Sequence, residues 1–262
     1  YVLCVSGRKL SDMKIFDTES RTKVWTVGHQ SDFDAPFGSA IMLQRYAPIA
    51  KRHMHEYGTT SRQFGAVAVA ARKHAMLNEN AFCKEPITID DHQNSEIVVD
   101  PFRRLDMAIE MDGAAAVVVT TAERARDMRQ RPVYIMGVAE GHADFPDQIA
   151  NRPVMTELGV KKAAPRAFAT AGVTPGDVDF AEIYDTPTFM VICQLEDVGF
   201  CKKGEGGPFV EGGRIELGGE LPVDTHGGNL SQAYIGGMNH VAQAVKQLRG
   251  TAGAAQVKDA EI

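Results

Sequence analysis

Short apolar runs and amphipathic segments alternate along this chain, and the alternation predicts an α/β fold. Runs typical of strands occupy residues 1–5, 97–99, 114–119, 132–138 and 178–185. Apolar residues recur at helical spacing over residues 41–57, 59–78, 156–171, 186–200 and 236–249, and glycines close most of these segments. The uninterrupted apolar run at 114–119 predicts a strand that is buried on both faces. Polar, turn-rich residues at 140–153 predict a linker between two halves, and the glycine-rich stretch at 204–219 predicts a mobile segment.

Composition and charge narrow the class of protein. With 262 residues, of which 44% are hydrophobic, the chain suffices for one large domain or two smaller halves. A net charge of -6 without a basic block predicts that nucleic acid is not a partner. No apolar run approaches the ~20 residues of a membrane span, and we expect a cytoplasmic protein. Four scattered cysteines predict neither a disulfide framework nor a zinc site.

The two ends of the sequence differ from those of a complete domain. The first residues form an apolar run with no initiator methionine, and the last residues form a charged tail without a closing strand. We therefore expect the natural chain to extend beyond the printed one.

Glycines concentrate between residues 224 and 239, where an extended piece leads into the last predicted helix. The stretch contains His226, Tyr234 and four glycines. Glycines let a backbone approach a ligand closely and present N–H groups to an anion or an enolate oxygen. The same composition suits a tight helix-entry loop with no role in binding, and composition alone leaves both interpretations open.

Ordered motifs along the chain resemble those of the thiolase family. Thiolases have an asparagine, two residues, Gly-Gly, four residues and then Gly-His-Pro, and GGNLSQAYI at 227–235 keeps this spacing. EIYDTPT at 182–188 occupies the place of the thiolase Asn-Glu-Ala-Phe or His-Asp-Cys-Phe motif. EMDGAAAV at 110–117 and YVLCVSGRKLSD at 1–12 are similar to two further thiolase segments. Closer still to the lipid-transfer or sterol-carrier branch are RKH at 72–74, PIT at 86–88 and LEDVGF at 195–200.

The resemblance covers essentially the whole chain and implies the thiolase fold, two related halves in α-β-α-β-α layers, without its N-terminal and extreme C-terminal parts. Residues 1–130 would be the remainder of the N-terminal half, with a helical loop subdomain at about 28–106 that covers the CoA arm. Residues 131–262 would be the C-terminal half. The resemblance also implies an acyl-CoA substrate, a homodimer, a small zinc-ribbon and OB-fold partner protein, and no cofactor beyond the CoA moiety of the substrate.

Two tyrosines stand where thiolases have catalytic groups. Tyr184 replaces the Asn or His that positions a water, and Tyr234 replaces the His of the oxyanion hole. The nucleophilic cysteine would lie upstream of Tyr1. A phenol whose pKa is lowered from ~10 can take a proton and return it. A similar pair occurs in thiolase-like aldolases that remove a steroid side-chain piece as propanoyl-CoA. The resemblance thus implies retro-aldol cleavage of a β-hydroxyacyl-CoA, with Tyr234 favoured as the base.

Two alternative functions remain open at this stage. The protein could be an acetyl-CoA acyltransferase that uses an upstream cysteine. It could also be a non-catalytic lipid-transfer or scaffold protein in which both tyrosines only pack.

Further candidate residues have structural explanations that are as good as the functional ones. His226 and Asp185 could orient a tyrosine, and His226 could also donate to the thioester oxygen. The backbone candidates for ligand contact are Gly227, Gly228 and Gly236, and the candidates for the CoA phosphates include Arg72 and Arg103. His53 and His55 lie two apart and face different sides of a helix, so we expect no metal site.

Overall fold

A computed structural model describes residues 1–9, 35–39, 41–108, 110–146 and 148–262. Residues 10–12 of the first thiolase-like motif and residues 28–34 of the predicted helical subdomain lie outside these ranges. Within the described ranges, helices and small sheets alternate, which confirms the predicted α/β class. None of the described helices combines the length and hydropathy needed to cross a bilayer.

The described strands form two antiparallel ribbons. Strand β1 (Val2–Arg8) pairs with β4 (Gly113–Val119), so that Val2 lies opposite Val119. Strands β2 (Ile97–Val99) and β3 (Phe102–Arg103) form a short hairpin. Residues of β4 alternate between half-buried and exposed, so the prediction of a strand buried on both faces is wrong for the described chain. The helix at Met238–Arg249 packs against β4.

Eight α-helices lie in the described ranges, and local sequence signals explain most of their bounds. They are α1 (Met42–Tyr57), α2 (Ser61–Met76), α3 (Ile89–Asn94), α4 (Ala122–Arg126), α5 (Val160–Ala171), α6 (Thr188–Val198), α7 (Gly206–Phe209) and α8 (Met238–Arg249). Thr60 and Gln63 form a reciprocal capping box at the start of α2. Left-handed glycines end α1, α5, α6 and α8, as their sequence spacing predicts.

Helices α2 and α6 lie at the centre of the hydrophobic core. Phe64 of α2 contacts Phe102 and Phe189, each at a ring-centroid distance of 5.9 Å, and all three side chains are fully buried. Burying a side chain of this size stabilises the fold by roughly 2–3 kcal/mol. This packing fixes the N-terminal end of α6, directly after the segment that contains Tyr184.

Three predicted features differ from the structure. Residues 132–138 form no strand, and Gly137 instead lies closely against the backbone of α5 at Ala167. Residues 178–185 form a parallel bridge between Ala181 and Val223 in place of a full strand. Only a few backbone hydrogen bonds connect this segment to its described neighbours. The glycine-rich stretch 204–219, predicted to be mobile, buries Phe209, Val210 and Ile215 in the core.

Candidate active site

The two tyrosines come from neighbouring segments that the parallel bridge holds side by side. Tyr184 lies three residues after Ala181, and Tyr234 follows the turn that begins after Val223. Their phenolic oxygens are 2.9 Å apart, a hydrogen bond between residues fifty positions apart, and both side chains are half-buried. We expect the two tyrosines, which stand at catalytic positions of one fold, to converge in one cleft, and the structure shows their contact.

The pKa of the Tyr184 phenol is raised well above its ordinary value. Burial is the largest cause, and the hydrogen bond to Tyr234 and the charge of Tyr234 add to it. Tyr184 is therefore protonated at neutral pH and can donate to Tyr234. The guanidinium of Arg8, at the end of β1, lies over the Tyr234 ring at 4.4 Å from its centroid. A cation at this position attracts negative charge that develops on the ring.

A third tyrosine, Tyr46 of α1, lies in the same neighbourhood. Burial raises the pKa of its phenol, and the charge of Tyr234 raises it further. Tyr46 is one of the apolar residues that recur at helical spacing over 41–57, and nothing in this spacing signals a role in the site.

Asp185 points away from the tyrosine pair. Its two carboxylate oxygens accept hydrogen bonds from the backbone N–H groups of Asn229 (2.9 Å) and Leu230 (3.0 Å). These groups belong to a wide turn, Gly228–Gln232, that leads to Tyr234. Asp185 therefore fixes the path of the second tyrosine segment.

The glycines of the turn serve this packing. Gly228 has φ 61°, and a Cβ there would lie 2.0 Å from a carboxylate oxygen of Asp185. Gly227 has φ 99°, and a Cβ there would lie 2.6 Å from the Ala75 side chain of α2. Gly236 differs from both, because it is exposed and borders the guanidinium of Arg8.

His226 is buried beneath the tyrosines. Its Nδ1 lies 2.8 Å from Glu182 Oε2, an ion-pair distance at an angle outside hydrogen-bond geometry. Its Nε2 lies 3.2 Å from the side-chain amide of Asn239, which also donates to the Ala233 carbonyl. With 1% of its surface exposed, His226 supports the turn before Tyr234.

The two arginine candidates make contacts with the protein itself. Arg72 donates to Ser231 Oγ at 3.0 Å and to the Glu85 carbonyl at 2.6 Å. Arg103 donates to the Ser95 carbonyl at 2.7 Å. Arg72 lines a cavity of about 110 Å³ beside α2, together with Cys83, Leu230 and Ser231. These contacts favour structural roles for both arginines.

Comparisons with known proteins identify the class of this fold and site. The Thiolase C-terminal domain-like family matches residues 141–262. A solved structure of the "Ltp2-ChsH2(DUF35) aldolase" superposes with a TM-score of 0.88 at 39% sequence identity, over 99% of this chain and 67% of that one. The chain belongs to the thiolase superfamily.

Two curated relatives are more specific. A "17-hydroxy-3-oxo-4-pregnene-20-carboxyl-CoA lyase" of Mycobacterium tuberculosis is 48% identical over 94% of this chain and 64% of its own length. A "Steroid side-chain-cleaving aldolase" of Thermomonospora curvata is 44% identical over 82% of this chain and 56% of its own. The chain thus spans less than two thirds of the length of these relatives.

Proposed function

We propose that the protein is a thiolase-like aldolase, a carbon–carbon lyase that cleaves a β-hydroxyacyl-CoA with a steroid or similarly bulky group. The observation that carries the proposal is the direct contact between the phenols of Tyr184 and Tyr234, at the two positions where thiolases have an Asn or His and a second His. The two relatives described as a steroid-CoA lyase and a steroid side-chain-cleaving aldolase support the same reaction class.

The proposed reaction is a retro-aldol cleavage that needs no oxidant or reductant. A base removes the proton of the β-hydroxyl group, and the C–O bond becomes a carbonyl as the bond between Cα and Cβ breaks. The bonding electrons move to Cα and form the enolate of the thioester. A proton returned to Cα gives a ketone and a short acyl-CoA such as propanoyl-CoA. The chemistry uses no cofactor beyond the CoA of the substrate.

The surroundings of the tyrosines support different roles for them. Tyr234 lies under the Arg8 guanidinium, which favours negative charge on that phenol, and this suits the base. Tyr184 has a raised pKa and stays protonated, which suits the donor that stabilises Tyr234 and relays the proton. Asp185 and His226 act by positioning the two segments.

We propose that the CoA arm binds a surface other than the one formed by Arg72 and Arg103, because both arginines bond to the protein itself. Gly236 remains a candidate for backbone contact with the ligand, since it is exposed beside Arg8. Tyr46 of helix α1 is close enough to Tyr184 and Tyr234 for their charges to interact, and we propose that the subdomain at about 28–106 closes over the site. We divide the chain at residue 130 into two thiolase halves, and we place the active protein in the cytoplasm as a homodimer.

A small partner protein is also part of the proposal. The solved aldolase of 39% identity contains a DUF35 component, and we propose that this chain assembles with a zinc-ribbon and OB-fold protein of that kind.

The direct test uses the full-length chain with its partner and a β-hydroxyacyl-CoA of the steroid class. We expect mass spectrometry to detect a short acyl-CoA and a ketone in equal amounts, with no acyl group attached to the protein. A cysteine thioester during turnover, with transfer of the acyl group to CoA, would establish the acyltransferase instead. Tight ligand binding without any turnover would establish the lipid carrier.

A further inference from the structure

A buried group of ionisable side chains lies beneath the tyrosine pair. Its members are Glu182 and Asp185 on the first tyrosine segment, Asp224 and His226 on the second, and His240 in the first turn of α8. Each segment binds the other through a carboxylate. Asp185 accepts from the N–H groups of Asn229 and Leu230, and Asp224 Oδ1 accepts from the N–H of Ile183 at 2.7 Å.

His240 stands between these two carboxylates. Its Nε2 lies 3.4 Å from Asp224 Oδ1 and 3.5 Å from Asp185 Oδ1, and only 5% of the residue is exposed. The ring packs edge-on against His226 at a centroid distance of 4.8 Å. Helix α8 thus reaches both tyrosine segments through one side chain.

The acidic side chains of this group favour a cation beside them. Three carboxylates (Glu182, Asp185 and Asp224) are clustered with little access to water, and a buried charge without a partner costs several kcal/mol. His74 also packs against this group, and burial lowers its pKa. Its ring is neutral, because Nε2 accepts a hydrogen bond from the Leu217 N–H and Nδ1 bonds to the Asp224 carbonyl. His226 faces Glu182. His240 is left to compensate Asp185 and Asp224.

Burial and the charges of neighbouring groups together determine the pKa values of His240 and Asp224. Burial lowers the pKa of His240, but the proximity and charge of Asp185, with the charge of Glu182, raise it above its ordinary value. The contacts of Nε2 with the two carboxyl groups are ion-pair contacts that lie outside hydrogen-bond geometry. Burial, followed by the charges of Asp185 and Glu182, raises the pKa of Asp224 well above its ordinary value. Both shifts have the same cause, the crowding of acidic side chains away from water, and this crowding favours a proton on the His240 ring.

We propose that His240 is a positioning residue, an imidazolium that binds Asp185 and Asp224 together and thereby keeps the phenols of Tyr184 and Tyr234 in hydrogen-bond contact. The inference rests on the proposed function, since it assigns His240 to the same site. The same three side chains offer ligand atoms within 4.8 Å of one another. A metal ion there would compete with backbone N–H groups that already occupy both oxygens of Asp185.

The first test needs no activity. In the full-length protein, nitrogen-detected NMR of the histidine rings at pH 7 should show His240 protonated on both nitrogens, and the ring should lose its proton only above its ordinary pKa. A ring that is neutral at pH 7, or a stoichiometric metal found by elemental analysis, overturns the proposal.

The second test compares three variants in the assembled complex. His240→Gln keeps a hydrogen-bond donor but removes the charge, and we expect turnover to fall by about 10²-fold, with KM changed far less, as for a misplaced catalytic group. The double variant His240→Gln/Asp224→Asn also lacks one carboxylate, and it should recover part of the turnover that His240→Gln loses. His53→Gln, which changes a different buried histidine, one paired with Glu196 at 2.9 Å, is the matched control and should keep its turnover.

Labelled tyrosine Cζ resonances separate this inference from the proposed function. In His240→Gln both tyrosine signals should shift, while in His53→Gln they should stay unchanged. If the wild type shows no lyase activity, the proposed function fails and the ring and tyrosine signals still decide the role of His240. Unchanged tyrosine signals and turnover in His240→Gln overturn the positioning role.

Discussion

At the residue scale, Gly228 is the position where the backbone and a side chain meet most closely in the site. The Asp185 carboxylate occupies the space in which any Cβ would lie, and its two hydrogen bonds hold the turn that leads to Tyr234. The absence of a side chain at residue 228 is therefore a condition for the second tyrosine to reach the first.

Gly228→Ala should destabilise the protein by about 3 kcal/mol, because the added methyl group displaces the Asp185 carboxylate and the backbone is left-handed. Gly250→Ala is the control, since Gly250 is also left-handed (φ 72°) but has no atom within 4 Å of the added Cβ, and it should cost about 1 kcal/mol. Urea unfolding measures both. Equal losses would contradict the close contact at Gly228.

Site residues could be predicted from the sequence where a spaced motif marks them, and could not be predicted elsewhere. Tyr184 and Tyr234 follow from motif positions, and their contact follows from two segments that meet at one bridge. The direction of Asp185 depends on a turn whose path no local pattern encodes. His240 has no signal at all, because a histidine in the first turn of a helix is equally suited to a surface, a core or an ion pair.

At the element scale, helix α6 combines apolar packing with a buried charge cluster. Lys203, on the loop after α6, lies 3.1 Å from Glu196 and 2.8 Å from Asp197, and Glu196 also contacts His53. Burial raises the pKa of Glu196, but the His53 hydrogen bond and the charges of His53 and Lys203 outweigh it and hold the pKa below its ordinary value. The cluster joins α1, α6 and the following loop.

Lys203→Met should destabilise the protein by about 3 kcal/mol near pH 7, because two buried carboxylates lose their cation. The stability that Glu196 contributes is present above its ordinary pKa and is lost as the pH falls through the lowered folded value. The difference in the free energy of unfolding between Lys203→Met and the wild type should therefore become smaller as the pH falls toward 4. Urea unfolding at a series of pH values measures this difference. Lys162→Met, at an exposed pair with Asp144, is the control and should cost less than about 1 kcal/mol. A loss independent of pH would contradict this account.

Helices were easier to predict from the sequence than strands, for a physical reason. Caps such as Thr60 and left-handed glycines are local signals, so α1, α2, α6 and α8 lie close to their predicted places. A strand exists only with a hydrogen-bonded neighbour. Residues 132–138 have the composition of a strand but no ladder partner among the described residues.

At the scale of the whole molecule, the chain spans less than two thirds of the length of its curated relatives. The tyrosine pair, its supporting cluster and helix α1 all lie within the described ranges. The division at residue 130 stays a prediction, as do the homodimer and the partner.

Assembly is testable on the full-length protein. Co-expressed with its DUF35-type partner, it should elute as one complex that contains two copies of each chain, as measured by light scattering after size-exclusion chromatography. The lyase rate should rise when the partner is present. A full-length protein that elutes alone and works at its full rate would contradict the proposed assembly.

The most direct measurement of the central claim is the turnover of Tyr184→Phe and Tyr234→Phe in that complex. Each change keeps the ring and deletes only the hydroxyl group, so a proton-transfer role predicts a loss on the order of 10²- to 10⁴-fold with folding and ligand binding nearly intact. A packing role predicts only a lost hydrogen bond worth about 1 kcal/mol of stability. Wild-type turnover in both variants would contradict the aldolase assignment of the two tyrosines.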